Sequence, residues 1–165
     1  VTGSTAYTGG SNVSFAFTIS GTLTNTSTTS VTVTYTITPK AGGCAGVPIT
    51  AVVVVNPRPV INPNSETICS NSIPGITISS NIPGTTYGWQ VTLVTGTITG
   101  TLVANSGTGS TFTETLRNLG LANGTVTYRF TPTAPVALGR CSGTPVDIVI
   151  TVKLEPVGTF AVGAA

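Results

Sequence analysis

The sequence contains no histidine and no methionine, and only 6% of its 165 residues are charged. An ordinary soluble domain carries about 25% charged residues. Without histidine, the Ser-His-Asp, Cys-His and His-metal constellations are all excluded. The only acids, Glu66, Glu114, Asp147 and Glu155, are scattered along the chain. They form neither a paired carboxylate for glycosidic cleavage nor the oxygen cluster of a calcium site. Asn62-Pro63-Asn64 with Glu66 is the most oxygen-rich stretch and reads as a turn. Three cysteines without histidine or a Cys-x-x-Cys pair do not make a zinc site. The net charge of +2 is too small and dispersed for a nucleic-acid footprint. No apolar run approaches the ~18 residues of a membrane helix; the longest, Ala51 to Val55, has the length of a strand. No secretory leader is visible, so the chain is expected to be a mature or internal segment. No cofactor, metal or catalytic residue is expected.

Threonine, serine, glycine and asparagine supply the polarity instead, among many β-branched residues. Disordered chains have the opposite composition. Val13, Phe15, Phe17 and Ile19 alternate with small polar residues, as do Val31, Val33, Tyr35 and Ile37. Tyr87, Trp89, Val91 and Leu93 share one parity; so do Val126, Tyr128 and Phe130, and Val146, Ile148, Ile150, Val152 and Leu154. Alternation with period two buries one face of a sheet and leaves the threonine face in water. Breakers such as Gly42-Gly43, Pro74-Gly75, Pro83-Gly84 and Asn123-Gly124 separate the runs. Gly107-Thr108-Gly109 reads as a hairpin loop. No stretch has an apolar period of 3.6. The expected fold is all-β: immunoglobulin-like antiparallel β-sandwich modules in tandem.

The tandem reading comes from an internal repeat. Val33-Thr34-Tyr35-Thr36-Ile37-Thr38-Pro39 recurs as Val126-Thr127-Tyr128-Arg129-Phe130-Thr131-Pro132, displaced by 93 residues. The same displacement relates Val1-Thr2-Gly3 to Val94-Thr95-Gly96, Asn12 to Asn105, Leu23 to Leu116 and Asn25 to Asn118. Cys44-Ala45-Gly46-Val47-Pro48 recurs as Cys141-Ser142-Gly143-Thr144-Pro145, displaced by 97. A period of this size is one small β domain rather than a solenoid turn. The expected division is the back half of a first module over 1–57 and a complete second module over 58–156. Residues 157–165 then begin a further module or form a donated tail strand, with Val157, Phe160 and Val162 as its apolar positions. The joint, Asn56-Pro57-Arg58-Pro59, is stiffened by prolines that cannot donate to a ladder.

The Val-Thr-Tyr-x-x-Thr-Pro strand, the Cys-x-Gly-x-Pro turn, the β run ending in Asn-Pro-x-Pro, Ile68-Cys69-Ser70 and Tyr87-Gly88-Trp89 together carry a resemblance. The chain resembles the PKD-like repeats of large Bacteroidota surface proteins, secreted adhesins and gliding-motility filament proteins among them. It departs from the better-known PKD domains, whose Trp strand runs into an acidic Gly-Asp-Gly turn; here Trp89 is followed by Gln90 and Val91. The resemblance implies adhesion or filament building, with no catalytic residues to carry over.

Within the second module Cys69 stands near the start and Cys141 just before the last strand, so a structural Cys69–Cys141 disulfide is expected. Free buried thiols are the alternative. Cys44 is the counterpart of Cys141 and is expected to be unpaired within the chain. Trp89, Tyr128 and Tyr35 are expected in the core, Trp89 between the sheets near Tyr128. The expected function is a structural or adhesive module of an extracellular filament or long cell-surface protein, joined head to tail. Its partners would be copies of itself or adjacent repeats, with surface glycans as further candidates. Nucleic acid and membrane insertion are not expected. A carbohydrate-binding accessory module of a secreted enzyme is the alternative, with Trp89 as a sugar platform.

Overall fold

The computed structural model describes residues 21–100, 106–156 and 158. In chain order the strands are β1 (Val31–Ile37), β2 (Lys40–Ala41), β3 (Cys44–Ala45), β4 (Ile49–Val55), β5 (Glu66–Ile68) and β6 (Thr86–Thr95). They continue with β7 (Ile98–Thr99), β8 (Ser106–Thr108), β9 (Arg117–Asn118), β10 (Gly124–Thr133) and β11 (Val146–Val152). A single 3-10 turn, Val136–Leu138, is the one helical element among the described residues. The all-β reading holds.

The main sheet runs β5-β11-β10-β6-β8. Its central strand, β10, pairs antiparallel with β11 on one side and β6 on the other. Alternation along β10 puts Val126, Tyr128 and Phe130 inward, at most 2% exposed, while Arg129 points to solvent. Ile148, Ile150 and Val152 of β11 are likewise fully enclosed. The opposing layer is assembled from short pieces: the β7–β9 pair and the bridges Ile61↔Ser80, Ser72↔Leu116 and Thr77↔Thr111. These pieces bring Ile61, Ile76, Ile78, Ile98 and Leu116 over the sheet to close the core. Gly107-Thr108 is not a loop tip: both residues belong to the edge strand β8, paired to Gly88 and Trp89.

Tyr128 anchors the aromatic packing. It meets Trp89 edge-on at 5.9 Å and Phe112 at 4.9 Å between ring centroids. Trp89 is only half-buried, and the strand beside it at the sheet edge, β8, is three residues long. A Cβ at Gly107 would stand 2.6 Å from Trp89 Cζ2, so the strand beside the indole must be glycine there.

The first repeat contributes the β1–β4 ribbon, in which Tyr35 is half-exposed. The alternating run Val13, Phe15, Phe17 and Ile19, and Val157, Phe160 and Val162, lie outside the described residues.

Burial separates two expected outcomes. Ile148→Ala should cost about 2–5 kcal/mol, since it opens a cavity in a closed core. Val52→Ala, at a 61% exposed position, should change stability by no more than about 0.5 kcal/mol. Denaturant titration of the two variants distinguishes them. Burial also pushes the Tyr128 phenol up to about 12, reinforced by the nearby Glu114 charge. The folded state therefore holds this proton more tightly than the unfolded chain. The resulting stability is complete below about pH 10 and is lost as pH rises towards about 12. Absorbance titration should show one of the four tyrosines ionising only there.

Candidate functional site

Both repeats contain the same asparagine clamp. Asn118, fully buried, donates through Nδ2 to the carbonyls of Ala122 (2.8 Å) and Val152 (3.0 Å), while Oδ1 accepts from Gly120 N (2.8 Å). Asn25 donates to Thr29 O (2.7 Å) and Val55 O (2.8 Å), and accepts from Ser27 N (2.9 Å). Every partner in one set is the repeat counterpart of a partner in the other. The loop entering the long strand is thus tied to the end of the strand beside it. Neither asparagine was expected to matter structurally, although the displacement of 93 residues relates them directly. Asn25 begins a glycosylation-type sequon, yet its amide is already committed to these carbonyls.

Strand register is duplicated too. Val33↔Val53, Tyr35↔Ala51 and Ile37↔Ile49 correspond to Val126↔Ile150, Tyr128↔Ile148 and Phe130↔Val146. The turn is also repeated: Gly46 N donates to Pro39 O at 2.7 Å, and Gly143 N to Pro132 O at 2.9 Å.

The joint is seated rather than free. Pro57 and Pro59 are fully buried, as is Pro132 beneath them. The Pro59 carbonyl occupies the space where a Cβ of Gly143 would be. Asn56 accepts from Ser30 Oγ at 2.7 Å, and its Nδ2 lies 2.6 Å from where a Gly139 Cβ would be. Gly139 has φ 71°, so glycine is favoured there on two grounds. In the first repeat the counterpart surface around Pro39 and Gly46 is exposed.

The expected Cys69–Cys141 disulfide is corrected: Cys44, Cys69 and Cys141 are all free thiols, and neither Cys44 nor Cys69 is buried. Lys153 N bonds Ile68 O, which places Cys69 at the Gly124 end of β10. Ala134 N bonds Cys141 O, which places Cys141 at the Thr133 end. The strand between these ends is roughly 30 Å long at about 3.3 Å per residue. Disulfide-bonded Cα atoms must lie within roughly 7 Å. Proximity to module boundaries in sequence said nothing about which end of the sheet each boundary occupies. Cys44 does match Cys141 in position, as its pairing with Ala41 shows.

Two ion pairs stand on the surface among the described residues. Arg129 grips Asp147 through two bonds of 2.7 and 2.8 Å across β10 and β11, and holds its carboxyl below the usual carboxylate range. Arg117 pairs with Glu155 at 2.9 Å. Glu66 accepts from Gly75 N at 2.8 Å; it begins strand β5, and no turn is assigned over residues 62–65. Among the described residues no three His, Cys, Asp or Glu side chains cluster as metal ligands. No helix among them is long and apolar enough to cross a membrane. A shallow depression of about 460 Å³ lies beside Trp89, lined by Gly88, Gln90, Gly107, Arg129 and Thr131 among others.

Sheet order, alternating burial and the layered core define an immunoglobulin-like β-sandwich protein. The PKD-like domain family matches residues 1–59 and again 66–156, and the chain belongs to that family. No curated protein and no solved structure gives a significant match. Membership makes the chain, in general terms, an extracellular module of structural or adhesive type, in a family whose domains are typically non-catalytic.

The joint yields a stability test. Gly143→Ala forces its new methyl onto the Pro59 carbonyl and should cost about 1–3 kcal/mol by overpacking. Gly88→Ala meets nothing within 4 Å and should be neutral or slightly stabilising. Thermal melts of the two variants check the contrast.

Proposed function

We propose that the chain is part of an extracellular filament or long cell-surface repeat protein, of the kind carried by Bacteroidota adhesins and gliding-motility filaments. Its sandwiches are joined head to tail and act as spacers and contact surfaces. The observation that carries this reading is the seated joint. A linker between independent domains is ordinarily exposed and flexible. Here the segment leaving the first hairpin is buried against the next sandwich, which favours a defined angle from one module to the next. The burial of Pro59 and Ile61 supports a boundary near residue 58. In this reading adjacent repeats or further copies are the principal partners, and surface glycans are secondary ones. A tail strand donated by Val157, Phe160 and Val162 is the variant in which separate subunits polymerise.

The depression beside the half-buried Trp89 is the feature that favours a carbohydrate-binding accessory module. Against it, Arg129 is engaged by Asp147, and the indole packs on Tyr128 and Gly107 rather than presenting a flat face.

Negative-stain electron microscopy of the protein taken from its native surface tests the choice. The expected image is a fibre or stalk beaded at about 40 Å, the length of a ten-residue strand plus its loops. Isolated globules, together with Trp89 fluorescence quenched by soluble glycans, would replace this reading with the carbohydrate-binding one.

A further inference from the structure

The β1–β4 hairpin has one face made wholly of apolar side chains: Val31, Val33, Tyr35 and Ile37 on β1, and Ile49, Ala51, Val53 and Val55 on β4. The equivalent side chains of β10 and β11 are almost entirely enclosed. In the hairpin Ile49 remains 58% exposed and Val53 40%. Among the described residues neither outer edge is paired, and the sheet here has two strands. The Asn25 clamp holds the hairpin in the register it would have inside a finished sandwich.

The complete repeat shows what such a surface accepts. Strand β6 lies antiparallel along the free edge of β10, setting Val91 opposite Tyr128, Trp89 opposite Phe130 and Tyr87 opposite Pro132. Strand β5 adds in parallel to β11. Transposed by the repeat, the same partners would stand opposite Tyr35, Ile37 and Pro39, with a parallel strand on β4. The exposed turn at Pro39 and Gly46 matches the seat that Pro59 fills on the other module.

We propose that the β1–β4 hairpin is an acceptor for strand complementation. Its occupant is an extended, uncharged segment with bulky apolar residues at alternate positions, the chemistry of Thr86–Thr95. A charged strand is excluded because its inward side chains would be desolvated without partners. A second copy in the described form is not the occupant. It brings one strand of this kind, already paired to β10, and two hairpins needing one. This proposal rests on the head-to-tail reading and specifies which surface receives the neighbouring segment. Main-chain pairing along the open edge supplies the attachment, and the alternating pockets supply the selectivity.

The test adds a synthetic peptide with the sequence of Thr85–Thr95 to the full 165-residue chain. Hydrogen exchange at the Val31–Ile37 amides is then followed by NMR. Those not bonded to β4 should slow tenfold or more at saturating peptide. A peptide with Tyr87, Trp89, Val91 and Val94, the β6 side chains that pack on the core, all changed to Thr should have no effect. Tyr35→Lys in the chain should abolish the slowing and Thr34→Lys, on the opposite face, should preserve it. Unchanged exchange in β10 and β11 certifies that both variants are folded. Three results overturn the proposal: no slowing at millimolar peptide, equal slowing by both peptides, or slow exchange at these amides before any peptide is added. A fibre seen by microscopy alongside any of these would remove the acceptor while leaving the head-to-tail reading standing.

Discussion

The arrangement depends on a single buried amide. Asn118 binds two carbonyls and one amide proton from three separate places: its own loop, the residues leading into β10, and the end of β11. A side-chain amide enclosed without partners would cost several kcal/mol, so these three bonds are coupled to one another and to the closed core. The clamp sets the end point of β11 relative to β10. Because side chains alternate, a slip of one residue would turn Val126, Tyr128 and Phe130 to solvent. One polar residue therefore fixes which face of the sheet is the core. Asn25 performs the same task for β1 and β4, where the core above is incomplete among the described residues. The register is thus imposed locally and does not wait for the second layer.

Low charge gives this sandwich an unusual relation to its surroundings. Three of the four acids are engaged singly: Arg129 neutralises Asp147, Arg117 neutralises Glu155, and Glu66 is satisfied by a backbone amide. Exposed pairs of this sort contribute little to stability and weaken further in salt. Asp147 is favoured in its ionised form, so what the pair adds is present at neutral pH and fades as acid protonates the carboxylate. Cohesion comes from buried aliphatic and aromatic surface and from backbone ladders, with threonine contacts such as Thr95–Thr125 at 2.8 Å on the outside. Such a module is expected to change little with ionic strength across the neutral range, which suits an extracellular module.

Most of the fold was legible in the sequence because its signals are local. Alternation located β1, β6, β10 and β11, the apolar run Ala51 to Val55 marked β4, and the repeat related the two halves before any pairing was known. The failures share one cause, which is that they depend on where chain segments meet. Cys69 and Cys141 flank the second module in sequence but stand at opposite ends of its sheet, because β5 runs parallel to β11. Gly107 looked like a turn residue; it is glycine because the Trp89 indole lies against it. Pro57 and Pro59 looked like a stiff linker, and their stiffness is real, but they are buried because Gly143 leaves room for a carbonyl. The asparagines carried a usable signal, since a polar residue conserved between the repeats amid apolar strands has a partner to satisfy.

The two hairpins pose a physical question that composition alone does not raise. They share sequence pattern, register, clamp and turn, yet among the described residues one lies inside a core and the other has no second layer over its apolar face. A two-stranded ribbon is marginal in water, and a contiguous apolar face with open edges invites pairing with other chains. Strand β4 makes this sharper, for Val52 and Val54 on its reverse face are also exposed. Natural edges are usually blunted with lysine, proline or an inward charge. Strands β1 and β4 contain none of these. An edge kept so free of deterrents, in the register of a finished sandwich, has the character of an interface awaiting its complement. The seated joint then has a clear consequence. In the head-to-tail reading proposed above, it would set the direction of each module on the next, so that complementing an open hairpin would extend a line instead of producing an irregular aggregate.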